Sequence, residues 1–462
     1  MYDNETGIVY PITEIQKEIL ELYRHQYSIE YIKNILEKKY IPKEIDKEID
    51  NIKLISSKYK LFVPQSAPEI HCNIEEVNKK KGIRQLILVV TENCNLRCKY
   101  CIYSGHYEMH RTHSKNYMPI EIAKKSVDFY FNYNSEYIET NPQNQLCIGF
   151  YGGEPLLNFE LIKNIVHYVN AKYNQNDILY TITTNGTLLN DEKIRFLVDN
   201  NFSINISLDG SQIEHDRNRV YANNLGTHGD VLENIKKLYK IEKESKKPNK
   251  NEFKIMTCFD HKSNLLEVSD FFDNNVYLKN RHARIMKIIP DKTTYCSSDD
   301  KNPFIKKLHT QFQQSYEKNK QSFISTFFGP QYTLLFSRDF YKVNPTRGNC
   351  IPGSKLVVDY QGNFHMCDKM SNNYPIGNIH TGFNYKIMKQ FMNSFYENIS
   401  NHCKDCNVSR LCMLCFANCE DKSGEFKVDK TICERNKSSL PMNLSNLYSL
   451  LEENPNLFND AI

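Results

Sequence analysis

The stretch Cys94-Asn-Leu-Arg-Cys98-Lys-Tyr-Cys101 decides how the rest of the chain is read. Three cysteines at x3 and then x2 spacing supply one thiolate too few for a four-iron cluster, which takes four. One iron is then left open to a small molecule able to chelate it. The alternative is a zinc site closed by a nearby histidine, and His106, His110 and His113 follow the triplet. Just upstream, Gln85-Leu-Ile-Leu-Val-Val-Thr91 is an apolar, β-branched run of strand length. The cysteines therefore sit in a loop leaving a strand.

Outward from that loop, strand and helix patterns alternate from Gln85 to Pro290. Strands are expected at Gln85 to Thr91, Leu146 to Tyr151, Ile178 to Thr184, Ser203 to Leu208, Phe253 to Phe259 and Ala283 to Ile288. Helices fit at Pro119 to Asn132, Asn158 to Tyr173, Asp191 to Asn200, Gly229 to Lys243 and Asn264 to Asn274. Such alternation implies parallel strands with crossover helices. Six such units make an α/β partial barrel, a (β/α)6 TIM-like arrangement, with ligands gathering at the C-terminal strand ends. Four turn-like motifs fall at that rim: Tyr151-Gly-Gly-Glu-Pro155, Thr183-Thr-Asn-Gly186, Ser207-Leu-Asp-Gly210 and His215-Asp-Arg-Asn-Arg219. Neither Gly-x-Gly-x-x-Gly nor a Gly-Lys-Ser phosphate loop occurs.

The chain has 462 residues and 15 cysteines, and its net charge is only +4. That balance gives no electrostatic case for nucleic acid. No stretch approaches the ~20 apolar residues needed to cross a bilayer, and the N-terminus lacks a secretion signal. A cytoplasmic location without membrane attachment is expected. Fifteen cysteines in that compartment argue for metal rather than disulfides. Eleven of them form two groups, three in the 94–101 loop and eight between 350 and 433, which is the number taken by one open and two closed clusters. Cys72, Cys147, Cys258 and Cys296 are scattered and read as small buried hydrophobes.

The triplet, with Tyr100 before its last cysteine, resembles the signature of radical S-adenosylmethionine (radical SAM) enzymes. The resemblance implies that Cys94, Cys98 and Cys101 hold a reducing 4Fe-4S cluster chelated by S-adenosylmethionine. It places Gly152, Gly153 and Glu154 at the methionine amino group, Thr184 and Asn185 beside it, and Ser207 and Asp209 near the carboxylate and ribose. Arg219 is a further candidate for the carboxylate. The C-terminal run Cys350-x11-Gly362-x4-Cys367, Cys403-x2-Cys406-x5-Cys412-x2-Cys415-x3-Cys419 and Cys433 looks like the SPASM extension of that family. By that resemblance Cys403, Cys406, Cys412 and Cys433 serve one auxiliary 4Fe-4S cluster. Cys350, Cys367 and Cys415 serve another, with Cys419 either its fourth ligand or a bystander to an open iron. The common pattern has x3 where this chain has x2 after Cys412.

The expected organisation is a winged-helix-like unit over 1–80 that grips a leader peptide, and the barrel over 85–300. A helical bridge over 301–344, an iron–sulfur SPASM domain over 345–435 and a tail over 436–462 follow. In the first unit, Thr13 and Ser28 are helix caps and Ser56 to Val63 is a candidate wing. What the resemblance implies is oxidative radical chemistry on a ribosomally made precursor peptide, forming a thioether between a cysteine and a carbon of another residue. An external electron donor of flavodoxin or ferredoxin type is implied, and Asp368 stands where sulfatase-maturing relatives place a proton-accepting aspartate. The alternatives are formylglycine formation in a sulfatase, peptide epimerisation, and a zinc-stabilised peptide-binding protein without catalysis.

Overall fold

A computed structural model describes the chain except residues 4–5, 7, 62–72, 108–109, 142–143, 174–176, 246–250, 289–294, 296–301, 316–320, 337–350, 404–405, 407, 409–411, 413–414, 421–424, 429 and 457–462. Cys350, Cys72 and Cys296 thus lie outside the described residues.

Six parallel strands carry the central sheet: β1 (Gln85–Thr91), β2 (Leu146–Gly152), β3 (Ile178–Thr184), β4 (Ser203–Ser207), β5 (Lys254–Phe259) and β6 (His282–Lys287). Each lies within two residues of its expected bounds, because each is a short apolar run flanked by turn residues. The crossover helices Ile120–Tyr133, Phe159–Lys172, Asp191–Asp199, His228–Glu244 and Leu265–Asn274 also form. Asn190 and Asn264 cap two of them by accepting the backbone N–H of Lys193 and Glu267. On β1 the faces divide by alternation. Leu86, Leu88 and Val90 join the core beneath the helices, while Ile87 and Val89 turn the other way to meet Val357 and Tyr151.

The sheet does not end at β1. Four further strands, β7 (Lys355–Val358), β8 (Asn363–His365), β9 (Pro375–Asn378) and β10 (Gly382–Phe383), extend it in the order β10-β9-β8-β7-β1-β2-β3-β4-β5-β6. β7 runs parallel to β1, with Leu86 opposite Leu356 and Leu88 opposite Val358. β8 folds back through a turn in which Gly362 takes φ +87°. An added Cβ there would sit 2.6 Å from Ile379. The C-terminal cysteine segment thus begins as an edge of the barrel sheet.

The first 61 residues carry three helices, Glu14–Arg24, Ile29–Leu36 and Pro42–Tyr59, closed over Ile19, Ile32, Leu36, Ile45 and Ile49. Thr13 and Ser28 cap as expected, Thr13 within a capping box with Gln16. Ser56 to Tyr59, expected in a β wing, are helical instead. Ile45, Ile49 and Ile52 keep a helical period, so the apolar face continues and the helix ends only at Lys60, whose φ is +54°. Residues 62–63 of the wing lie outside the described residues. Strand character before the helices is a single bridge between Tyr2 and Val9.

Helices Ile305–Ser315 and Phe323–Phe336 occupy the described part of the bridge. The 24-residue helix Lys430–Glu453 runs through the boundary expected at 435 and buries Leu447 and Leu450 in the main core. Among the described residues, no helix is long and apolar enough to cross a membrane.

Candidate functional site

The site is built where β1 ends. The Thr91 hydroxyl donates to Asn116 O at 2.8 Å and accepts the Asn93 N–H at 3.1 Å, turning the chain out of the sheet. The cysteine loop is then pinned to the segment after β4. Arg97 N donates to Val220 O at 2.7 Å, Lys99 N to Asn218 O at 3.0 Å, and Leu96 bridges Tyr221. Burial pushes the thiols of Cys94 and Cys98 up to about 12 and raises that of Cys101, so these buried sulfurs stay protonated until something displaces the proton. A cation that binds thiolates does so.

Gly152 and Gly153 press the end of β2 against this loop. An added Cβ on Gly152 would lie 2.2 Å from Thr91 O, and on Gly153 2.1 Å from Asn93 O. Both positions are closed to any side chain. The approach is fixed by hydrogen bonds from Gly153 N to Thr91 O at 2.9 Å and from Glu154 N to Asn93 O at 2.8 Å. The fully buried Glu154 accepts from the Thr184 hydroxyl at 2.7 Å, Asn185 N at 2.8 Å and Leu156 N at 3.1 Å. Burial still dominates and raises this carboxyl to about 7 against the weaker field of Lys193, and among the described residues it makes no ion pair. Asn185 closes the triangle by donating to Asn95 Oδ1 at 2.9 Å, and its Nδ2 stands 3.9 Å from Cys94 Sγ.

Across the rim, Asp209 gathers Tyr100, Arg219 and β5. Its Oδ2 accepts from the Tyr100 hydroxyl and from Arg219 Nε at 2.9 Å, and its Oδ1 accepts from Cys258 N at 2.9 Å. Arg219 also reaches Cys98 Sγ at 3.9 Å and lies over the Tyr100 ring. Ser207 ends β4 two residues earlier, half-buried and paired with Met256. His215 sits behind Asp209, accepting its N–H at Nδ1 at 3.2 Å.

A second loop comes to the same place from the C-terminal segment. Tyr103 donates its N–H to Cys101 Sγ at 3.4 Å and its hydroxyl to Asp368 O at 2.8 Å. Cys367 lies beside Asp368, and Lys369 N donates to its sulfur at 3.4 Å. Burial first, then Asp368, pushes the Cys367 thiol up to about 12, and Cys415 also stands in its field. Cys433 is raised to about 11 by burial, then by Cys403, Cys412 and Cys406, which stand in its field. Cys419 is 1% exposed within the apolar core.

Sequence reasoning missed four residues here. Cys258, taken for a core hydrophobe, stands among Asp209, Arg219, Lys369 and Tyr100, its thiol raised to about 11 by burial and then by Asp209. Its place at the C-terminal end of β5 was the available signal. Tyr103, Tyr151 and Lys369 join it; Tyr151 lies in the fields of Asp368, Tyr103, Cys101 and Cys258. The three histidines of the zinc alternative turn to different rings: His106 to Tyr295, His110 to Tyr107 and His113 to Tyr103.

Residues 88–247, which hold every group at this rim up to Arg219, match the Radical SAM superfamily. The chain carries a radical SAM domain. Over those residues it is an α/β radical SAM domain, set in a sheet that runs among the described residues from β10 to β6, and the match to that superfamily implies a 4Fe-4S cluster and S-adenosylmethionine. The cysteine-type anaerobic sulfatase-maturating enzyme of Clostridium novyi is 27% identical, over 79% of this chain and 96% of that protein. A radical SAM cyclopropyl synthase of Paramaledivibacter caminithermalis is 29% identical over 37% of this chain and 35% of its own. The fold of native anSMEcpe, solved with bound AdoMet and a peptide, is shared at a TM-score of 0.60 and 21% identity, covering 82% of this chain and 98% of that one. The donor set fits the group in its chemistry: three thiols share one loop and one another's fields, though among the described residues no three ligands are drawn together as a metal site, the Gly152–Gly153 cradle admits no side chain, and Glu154 offers a buried acceptor for an amine.

Proposed function

We propose that this radical SAM enzyme oxidises a ribosomally made precursor peptide, joining a cysteine sulfur to a carbon of another residue as a thioether. When bound at Cys94, Cys98 and Cys101, the cluster and S-adenosylmethionine supply a 5′-deoxyadenosyl radical able to remove hydrogen from unactivated carbon. The chain's own residues set the stage for it. Glu154 receives the amino group of S-adenosylmethionine. Thr184 and Asn185 hold that carboxylate in place, and Arg219 with Ser207 and Asp209 faces the remaining polar atoms. Tyr103 and Tyr151 wall the space between Cys101 and Asp368 and keep water out.

The observation that carries an oxidative outcome is the Tyr103 bridge, which touches a cysteine of the first loop through its N–H and the backbone of Asp368 through its hydroxyl. The Cys367 ligand loop therefore borders the place where a substrate carbon reacts. We assign Cys403, Cys406, Cys412 and Cys433 to an outer auxiliary cluster, and Cys350, Cys367, Cys415 and Cys419 to an inner one. Bound there, such centres would supply an acceptor for the electron that leaves as the carbon–sulfur bond forms, and Asp368 would accept the proton of the cysteine thiol. An external ferredoxin- or flavodoxin-type donor resets the first cluster. Residues 345–435 then form a SPASM-type unit, and residues 1–80 hold the leader. Tyr23, Tyr27, Tyr31 and Ile29 are exposed on that helical unit and offer an apolar face for it.

A second reading, formation of formylglycine in a sulfatase, is favoured by the Clostridium novyi relative, almost all of whose length this chain matches. The same match leaves about a fifth of this chain unaligned, which suits an added peptide-holding unit. One experiment separates the two. The reconstituted enzyme is given S-adenosylmethionine, a strong reductant and either a short cysteine-rich peptide or a sulfatase-derived cysteine peptide. Loss of two hydrogens together with a free thiol in the first supports the thioether. Conversion of cysteine to an aldehyde in the second, with the first untouched, replaces it with the sulfatase reading.

A further inference from the structure

Arg111 lies over the ring of Tyr103, whose hydroxyl donates to Asp368 O. Its guanidinium stacks on the Tyr103 ring at 3.8 Å, and both terminal nitrogens, Nη1 and Nη2, are buried without a hydrogen-bond partner. Glu92 stands 3.6 Å from Nε, beyond hydrogen-bonding distance, and its other oxygen is occupied by the Ser114 hydroxyl at 2.6 Å and Asn116 Nδ2 at 3.1 Å. His113 meets the same Tyr103 ring edge-on, and burial, then Arg97 and Arg111, keeps it neutral. Arg111 and a neutral imidazole thus both meet the Tyr103 ring, and Glu92, with one oxygen already committed, is the carboxylate paired with the guanidinium.

A buried guanidinium with two unmade bonds is costly unless a ligand completes it. Its flat fork matches a planar two-oxygen anion, and one face is already covered by the tyrosine. We propose that Arg111 is a carboxylate-binding subsite that anchors an acidic group of the substrate beside the reacting position. The location supports this, because the tyrosine that carries the guanidinium on its ring also bonds Asp368 O and Cys101 Sγ. None of Glu154, Asp209 or Arg219 is involved, so the subsite is separate from those facing S-adenosylmethionine. Which carboxylate is bound, a side chain or a chain end, follows from the substrate's being a peptide and rests on that reading. The chemistry of the subsite does not.

The test uses reconstituted holoenzyme with S-adenosylmethionine and three small probes, N-acetyl-aspartate methylamide, N-acetyl-asparagine methylamide and N-acetylglycine, with affinities measured by saturation-transfer NMR. The expected result is a preference for a carboxylate probe over the asparagine probe of roughly tenfold or more, as for a hydrogen bond to a charged group. A stronger aspartate probe supports a side-chain source, and a stronger N-acetylglycine a chain end. Arg111→Gln removes the preference, while Arg111→Lys, which keeps the charge without the fork, retains part of it. Equal affinity of the wild-type enzyme for all three probes overturns the proposal, as does a preference that survives in R111Q. The wild-type arm decides even if R111Q fails to fold. No probe contains cysteine or undergoes turnover, so the thioether reading stands or falls independently.

Discussion

Glu154 and Thr184 join the ends of neighbouring strands β2 and β3 through a 2.7 Å hydrogen bond from hydroxyl to carboxylate, inside a shell that leaves Glu154 0% exposed. The carboxyl, raised to about 7 chiefly by burial, binds its proton more tightly folded than unfolded. Between the ordinary glutamate value and 7 the folded state therefore holds the extra proton, and stability falls as pH rises. In the iron-free protein this amounts to about 3 kcal/mol lost across that window. Urea titrations from pH 4.5 to 7.5 should show the slope, and Glu154→Gln should flatten it. An identical slope in E154Q refutes the assignment.

Binding of S-adenosylmethionine should respond with the opposite sign. Its ammonium group needs the charged carboxylate, so affinity for the reconstituted enzyme should decline as pH drops below 7. Equilibrium binding at pH 6 and pH 8 reads this directly, and E154Q should lose both the affinity and its pH dependence.

Gly153 tolerates no Cβ, because the contact it would make is with backbone, Asn93 O at 2.1 Å. Gly153→Ala must therefore displace the loop that bears Cys94. We expect a loss of about 1–3 kcal/mol and a fall in iron by one cluster's share, about four of roughly twelve atoms. Iron analysis beside Cys433→Ala, which should remove a similar share from the other end of the chain, distinguishes the two losses. The electron paramagnetic signal of the first cluster should vanish in G153A and persist in C433A.

Asp209 and Arg219 form a buried pair, 5% and 8% exposed, with Tyr100 and the Cys258 N–H completing the carboxylate's bonds. Asp209→Ala strands the guanidinium and should cost about 3–5 kcal/mol. Chemical denaturation of the iron-free variant measures it, and a cost under about 1 kcal/mol would show that water or another group replaces the carboxylate.

The six parallel strands were readable because each is a continuous apolar run beside a turn, and the rim motifs because each follows such a run. β7 to β10 escaped notice: they span four, three, four and two residues, too short for a period to show. The wing was misread because the third helix was expected to stop at Lys53, whereas the face of Ile45, Ile49 and Ile52 carries it on to Tyr59. Cys258, at the end of β5, and Lys369, in the turn after β8, come together across 111 positions of chain, and no spacing rule reaches that far.

Because β7 docks on β1, the edge carrying Leu86 and Leu88 acquires its partner only when residues 355–358 have been made. A ribosome that stalls earlier releases a fragment with an open, apolar sheet margin, the kind that recruits other chains into aggregates. More than three quarters of the chain must therefore be made before that margin is covered, so the order of synthesis leaves β1 waiting for its neighbour.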